Sequence, residues 1–437
     1  MGIRTLVKTI IPRGLFKKIE PWGHMGEAVV MQLLFRFPAR GIKIIGVTGT
    51  NGKTTTCFMI HKMMVEAGYS AGLMTTVGWG VDSSISPQVE HMTTMPTRHL
   101  LKRIKKIKSQ GAKWLVMEVT SHALAQNRVW GINYEMAVMT NVTHEHLDYH
   151  GTFDSYLDAK VKLFRSTAAN KKGMGIGVIN ADDPVSKQFV KTVPKPITYG
   201  IKNGQYRAGS IKSTPSGSEF MVQSSGEKTD KLNIKLNIPG SFNVYNALAA
   251  AVTGLVLQMR PGQVEQGIAA LESVEGRMNT VDVGQDFSVI VDYAHTPDSF
   301  EKLFKDLRPL VKGKMIAMFG SAGRRDVAKR PIQGELAGKY CDEIIVTEED
   351  DRDVDGDQIL REIAKGAQKS GKKKDRDLFL IHDRKQAIEF TLSRARSGDT
   401  VLLLGKGHEK NIERADGIHL WNETQVAKDV LKKLVKK

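Results

Sequence analysis

The sequence predicts an α/β protein. It reads as a central domain with a parallel sheet and a P-loop-type glycine loop, carrying a small β-rich appendage, followed by a C-terminal Rossmann-like α/β domain. Three observations predict this. Short apolar runs of strand length alternate with segments of helical spacing, first over 44–179 and again over 287–404. A glycine-rich loop at 46–54 joins the first run to a segment of helical spacing at 57–64. Between the two series, residues 200–238 become polar around short alternating pieces, such as 220–222 and 232–236, which is a strand pattern.

In chain order, residues 1–40 form a basic amphipathic segment. Ile3, Leu6, Val7, Ile10 and Ile11 recur at helical spacing with Arg4 and Lys8 between them, Pro12 interrupts, and Leu15, Phe16 and Ile19 resume beside Lys17 and Lys18. Such a segment is expected either to lie on an anionic membrane or to pack against the next domain or a partner protein. The apolar stretch 28–37 is broken by Gln32 and Arg36 and is too short to span a bilayer. Runs at 44–47, 114–117, 136–139 and 176–179 then predict parallel strands covered by helices. Ligands of such sheets sit beyond the carboxyl ends of the strands, where Thr54, Glu118 and residues 141–150 fall. An apolar helix is expected over 243–259, ending near Pro261. With the N-terminal segment ending at 40 and a boundary near 273–280, the chain divides into 1–40, 41–275 and 276–437. The second series has its runs at 287–291, 315–319, 344–346, 379–381 and 401–404.

Composition narrows the function classes. With 437 residues and 41% hydrophobic content, the chain suits two or three globular domains. Cys57 and Cys341 stand far apart without metal-ligand spacing, as expected of buried thiols in a reducing, cytoplasmic compartment. The formal charge of +17 suits anionic lipid or polyanionic small substrates, and no nucleic-acid signature accompanies it.

The loop carries the clearest chemistry. Its glycines let backbone N–H groups close around phosphate oxygens, Lys53 can neutralise the terminal phosphates, and the Thr54 hydroxyl can hold Mg²⁺. Its spacing is one residue longer than G-x-x-x-x-G-K-[ST]. Glu118 ends a buried strand with an acid. With His146, at the end of the next strand, it suggests a divalent-metal site beside the phosphates. The spacing of His144, His146 and His150 fits none of the common zinc patterns. By position alone, Lys160 reads as a surface lysine on a helix.

The motifs at 46–54, 117–128, 141–164, 240–247, 292–297 and 405–409, in that order, closely resemble the Mur ligase family and most of all its MurE-type branch. The resemblance covers residue 41 to the C-terminus. It implies an ATP-dependent, ADP-forming ligase that phosphorylates a carboxylate on a cell-wall peptide precursor of the UDP-MurNAc-dipeptide kind. The acyl phosphate is then attacked by an amino acid's amine. By the same resemblance Lys53, Glu118, His146 and Lys160 are catalytic, and Lys160 is carbamylated by CO₂. Thr54, Glu118, His146 and Lys160 hold Mg²⁺. ATP is bound by Gly49, Thr50, Asn51, Gly52, Lys53, Thr54, Thr55, Asn243, Asn246, Arg277, Asp292 and His295. The acceptor is met by Thr93, Thr94, Ser121, Gln126 and Arg128, and the incoming amino acid by Arg325, Asp350, Arg352, Gly405 and Glu409.

Three departures from the family pattern stand out. Glu145 replaces the usual Asp. Residues 349–352, Glu-Asp-Asp-Arg, replace an Asp-Asn-Pro-Arg or Asp-Asn-Pro-Ala signature, so Arg352 favours a diaminopimelate-like carboxylate while the added acids favour an extra positive charge. The sequence ahead of Gly46 is shorter than the family's N-terminal UDP-binding domain, so the UDP end is expected to be bound differently, supplied by a partner, or absent. Alternative readings are a ligase of a lipid-linked, pseudomurein-type or polyglutamate-like acceptor and, from another class, a noncatalytic membrane-associated scaffold.

Overall fold

The computed structural model describes residues 13–88, 93–214, 217–225 and 231–435. The first apolar series of the amphipathic segment, Ile3 to Ile11, lies outside these. Internal packing divides the residues into two units, one of 1–210 with 220–234 and 244–271, the other of 272–437 with 211–219 and 235–243.

In the first unit, β1 (Lys43–Thr48) is the axis of the sheet. It pairs in parallel with β5 (Trp114–Glu118) on one side and β6 (Met136–Met139) on the other. Since the chain leaves β1 and returns on both flanks, the carboxyl end of β1 is a topological switch point, where loops part and leave a crevice. The sheet continues in parallel from β6 through β7 (Ile176–Asn180) and β8 (Lys195–Gly200). Beyond β5 lies the parallel β2 (Ala71–Met74). The short antiparallel β3 (Gly78–Val81) and β4 (Ser84–Pro87) complete that edge. Strands β1, β2, β5, β6 and β7 are almost wholly buried, which is why they read as continuous apolar runs rather than alternating ones.

The expected β-rich appendage is present over 206–236. Its strands β9 (Tyr206–Thr214), β10 (Gly217–Ser224) and β11 (Lys231–Leu236) join the same sheet, which has eleven strands. Tyr206 and Arg207 pair in parallel with Tyr199 and Gly200. The polar alternation arises because the ribbon extends past the region that helices cover on both faces, leaving one side to water. The helix expected over 243–259 runs over Ser241–Val256, and Pro261 opens a further helix, Pro261–Ala269, because a proline lacks only an N–H that the first turn leaves unpaired anyway.

The second unit holds a sheet of six strands: β12 (Asn279–Thr280), β13 (Ser288–Asp292), β14 (Met315–Phe319), β15 (Glu343–Val346), β16 (Leu378–Leu380) and β17 (Thr400–Leu404), in the order β12-β13-β17-β14-β15-β16. All pairs are parallel except β12–β13. Its core is built from Val289, Val291, Ile316, Met318, Ile345, Val401 and Leu403 against Ile388, Leu392 and Leu431. A two-stranded hairpin, β18 (Asn411–Arg414) with β19 (Gly417–Leu420), follows. Asp292–His295, Arg325, Asp350–Arg352 and Gly405–Glu409 lie at or within a few residues after the carboxyl ends of β13, β14, β15 and β17 respectively.

Candidate functional site

The glycine loop sits between β1 and the helix Lys53–Glu66. It is pinned to the segment after β6. Asn141 accepts the Thr50 N–H on its carbonyl at 2.7 Å and the Asn51 N–H on its side-chain oxygen at 2.9 Å, and its amide donates back to the Asn51 carbonyl at 3.0 Å. Two glycines have no room for a side chain. A Cβ at Gly49 would lie 1.9 Å from Thr140 Oγ1, and one at Gly52, where φ is +82°, would lie 2.2 Å from Asn246 Oδ1. Gly52 also leaves the helix start without a side-chain cap, whereas Thr120 and Thr152 cap the helices at Ser121–Ala125 and Phe153–Ala169. An uncapped first turn behind a glycine loop is a cradle for phosphate.

Around that cradle the charged groups converge. Glu118 is buried, and its Oε2 accepts from Thr54 Oγ1 at 2.9 Å, Thr76 N at 3.1 Å and Thr76 Oγ1 at 2.9 Å. Lys53 Nζ donates to the Thr50 carbonyl at 2.7 Å and lies 3.9 Å from Glu118 Oε1. A hydroxyl and a carboxylate at the mouth of the loop form the oxygen donor set that suits Mg²⁺.

Lys160 is not the surface residue that its position suggested. It is 1% exposed and donates to the Gly49 carbonyl at 2.5 Å. Burial first, then the charge of Lys53, hold its amine well below the usual lysine range, with Glu145 and Glu118 opposing. A neutral amine is the form that can act as a nucleophile. Sequence reasoning passed over Tyr156, one helical turn before Lys160. Its hydroxyl is 2.9 Å from Thr50 Oγ1, its ring lies 4.4 Å from Lys160 Nζ, and the His146 and His150 rings stand 6.2 and 5.3 Å away. The i, i+4 spacing was the available signal. His146 adopts φ +56°, lies 3.9 Å from Glu145 and packs edge-on against His122 at 4.6 Å.

The residues expected at the acceptor gather behind Glu118. Thr94 Oγ1 donates to the Glu118 carbonyl at 3.3 Å and accepts the Thr120 N–H at 3.1 Å, and buried Arg128 donates to the Thr94 carbonyl. Ser121 Oγ is 3.1 Å from His150 Nε2. Gln126 is the C-terminal cap of the helix Ser121–Ala125, and half-buried Thr93 follows residues 89–92, which are outside the described set. Thr55 is buried in the first turn after the loop, and Asn246 Oδ1 accepts from Thr56 Oγ1 at 3.3 Å.

In the second unit, residues expected at the nucleotide surround Tyr293, another residue the sequence did not single out. The Arg277 guanidinium lies 4.7 Å from its ring, and Arg277 Nε is buried without a hydrogen-bond partner. The His295 ring meets that of Tyr293 edge-on at 4.7 Å, and the His408 ring lies tilted against it at 5.0 Å. The Tyr293 hydroxyl donates to Glu409 Oε1 at 3.3 Å. Asp292 accepts the Met278 and Ala294 N–H groups at 2.7 Å each, and burial raises its carboxyl above the usual range against the pull of Arg277. Asn243 donates to the Pro239 carbonyl at 2.6 Å.

The residues expected at the amino acid are partly engaged already. Lys406, fully buried, donates to Asp350 Oδ1 at 2.9 Å and pairs with Glu409 Oε2 at 2.6 Å. Arg352, at φ +57°, donates from Nε to Glu413 at 2.7 Å and from Nη1 to the Gly323 carbonyl at 2.6 Å. Arg325 is exposed. A carboxylate the sequence had not assigned remains: Glu349 is buried, its Oε2 has no hydrogen-bond partner, and it lies 2.9 Å from where a Cβ on Gly405 would be.

Comparison with known proteins gives the family. The Mur ligase middle domain matches residues 47–254, and the Mur ligase glutamate ligase domain matches residues 276–407. The chain belongs to the Mur ligase family and is an ATP-dependent, ADP-forming ligase. Within that family its relatives are of the MurE type. The UDP-N-acetylmuramyl-tripeptide synthetase of Roseiflexus sp. (strain RS-1) is 40% identical over 429 residues, covering 95% of this chain and 83% of that protein. The UDP-N-acetylmuramoyl-L-alanyl-D-glutamate–2,6-diaminopimelate ligase of Syntrophomonas wolfei is 38% identical over 401 residues, covering 91% and 80%. A solved structure of a ligase of the latter name superposes with a TM-score of 0.65 at 28% identity, covering 95% of this chain and 83% of that one. Mycobacterium tuberculosis folylpolyglutamate synthase shares the fold, with a TM-score of 0.70 at 16% identity, covering 87% and 91%.

Proposed function

We propose that this protein joins a diamino acid to the terminal carboxylate of a UDP-N-acetylmuramoyl-dipeptide-like precursor in cell-wall synthesis, in the cytoplasm. The observation that carries the reading is the Thr54–Glu118 hydrogen bond at the mouth of an uncapped, glycine-lined helix start. It joins a phosphate cradle to the donor pair of a divalent cation.

Two steps follow. An acceptor carboxylate oxygen attacks the γ-phosphorus of ATP, the bond to the β-phosphate oxygen breaks, and ADP leaves. The amino acid's amine then attacks the acyl carbon, inorganic phosphate leaves, and the nitrogen loses a proton. Both partners of the first step are anions, so the step needs concentrated positive charge. Lys53 and the amides at the start of the helix Lys53–Glu66 supply it from the chain, and Mg²⁺ held by Thr54 and Glu118 would supply the rest. Thr94, Ser121 and Arg128, with Thr93 and Gln126, orient the acceptor. Asn246 shapes the loop from below, while Asn243, Arg277, Asp292 and His295 bind the nucleotide.

Lys160 supports a second metal position shared with His146. Its buried amine is poised to attack CO₂, forming an N–C bond and releasing a proton, and the carbamate so formed is anionic where the ammonium was not. For the amino acid, the buried oxygen of Glu349 favours a distal ammonium, which lysine, ornithine and diaminopimelate all carry. Because Arg352 is paired with Glu413, selection between a distal carboxylate and none rests on whether that pair opens.

Mass spectrometry tests the reading. UDP-linked and lipid-linked acceptors are incubated with ATP, Mg²⁺ and lysine, ornithine, diaminopimelate or glutamate. A new amide with one ADP released per bond is expected from a UDP-linked acceptor and a diamino acid, and Lys53→Ala should abolish it. Absence of a new amide with every pair would sink the proposal, and ADP release indifferent to amino acids would point to another class. A ¹³C-carbamate resonance that appears with labelled bicarbonate and is lost in Lys160→Arg checks the modification separately from turnover.

A further inference from the structure

The amphipathic segment is not absorbed by the ligation chemistry, and its described part is two-faced. The helix Arg13–Leu34 turns His24, Ala28, Met31 and Gln32 toward the first unit, where Gln32 donates to the Trp130 carbonyl at 2.8 Å and Met31 packs on the core. Trp22, Val30, Leu33 and Leu34 are left 73%, 51%, 62% and 68% exposed. At 3.6 residues per turn these four fall within about a third of the helix circumference, on the side away from the buried set. They are four of the nine large exposed hydrophobics among the described residues, gathered on one helix.

Bases outnumber acids around this face, with Glu27 exposed at its margin. The helix Thr97–Ser109 packs against Arg13–Leu34 and contains no acid, and its Arg98, Lys102 and Lys105 are exposed. Arg36 and Arg40 are exposed just past the end of the apolar helix. No described helix is long and apolar enough to cross a membrane. A face with an outward tryptophan and leucines, flanked by bases, matches the depth profile of an anionic bilayer surface: apolar groups enter the acyl boundary, the indole sits at the interface, and lysines meet lipid phosphates. A soluble protein partner would satisfy the apolar face but would not need the bases beside it.

We propose that this face docks the enzyme peripherally on an anionic lipid surface. The test is flotation of the full chain with vesicles of equal parts phosphatidylcholine and phosphatidylglycerol, against vesicles of phosphatidylcholine alone. Binding only to the anionic vesicles, reversed by high salt, is expected. Trp22→Ser with Leu33→Ser should weaken partition by about tenfold or more, and Lys102→Gln with Lys105→Gln by about fivefold per lysine. Amino-acid-dependent ADP release should be unchanged in both variants, which shows that they fold. No flotation of the wild type, equal flotation with neutral vesicles, or unchanged flotation of the Trp22/Leu33 variant would each overturn the proposal. So would a concentration-dependent dimer in sedimentation that the Trp22/Leu33 variant abolishes while vesicles remain unbound, since a second copy would then be the occupant.

Discussion

Replacing Glu118 by Gln keeps the shape of the side chain and removes its charge, which isolates what the carboxylate does. Glu118 Oε2 gathers three donors, from Thr54 and twice from Thr76, and Oε1 faces Lys53 at 3.9 Å. An amide oxygen can still accept from those donors, but each bond loses its charge assistance, and the amide nitrogen then faces Lys53. The cost to folding is about 1–2 kcal/mol, because only the charged increment of each bond is lost. The cost to turnover is larger. Removing one preorganised electrostatic contact from a charged transition state lowers rates by about 10²–10³, and an amide is a poor ligand for a hard divalent cation. The assay is amino-acid-dependent ADP release titrated with Mg²⁺, beside urea unfolding of the same preparation. A Glu118→Gln rate within about threefold of wild type at every Mg²⁺ concentration, under 1 kcal/mol of barrier, would refute the assignment of Glu118 to the metal and the phosphates.

Three more outcomes are expected. Glu423→Ala leaves the guanidinium of Arg384, wholly buried and bonded to both Glu423 oxygens, without its counter-charge. It should cost about 3–5 kcal/mol in urea unfolding, and the double replacement Arg384→Met with Glu423→Leu should recover most of it. Lys406→Met leaves the Asp350 and Glu409 carboxylates without the cation between them. The amino acid's KM should rise by about tenfold or more with the acceptor's KM little changed, as steady-state kinetics can separate. His61 is held neutral by burial, its pKa lowered to about 4. Below pH 6.5 the unfolded chain takes up a proton that the folded one refuses, so stability falls as pH drops from about 6.5 toward 4. The loss is about 2 kcal/mol between pH 7 and 5, and His61→Gln should flatten that slope in urea midpoints measured at the two pH values.

Much of this protein is written locally. The glycine loop is legible because close approach of Asn246 and Thr140 demands missing side chains at Gly52 and Gly49, and the strands are legible because burial on both faces demands unbroken apolar runs. The antiparallel edge at 78–87 escaped notice because its four-residue strands are rich in Gly and Ser and lack a long apolar run. The ribbon over 206–236 read correctly as strands, but its attachment to the large sheet depends on pairing with 199–200, which no local pattern encodes.

The chemistry divides in the same way. Residue type and motif order were enough to nominate Lys53, Thr54 and Glu118 and to point to the ligase family, and only that resemblance singled out Lys160. Only the tertiary structure decided their electrostatic states, since these are set by groups far away in the chain. Lys160 loses its charge preference because the fold buries it against Gly49, 111 residues earlier. Asp350 is compensated by Lys406, 56 residues away, and Arg352 by Glu413, 61 away, while Oε2 of Glu349, just before them, is buried without a hydrogen-bond partner. A side chain's identity is local, but its desolvation and its partners belong to the fold.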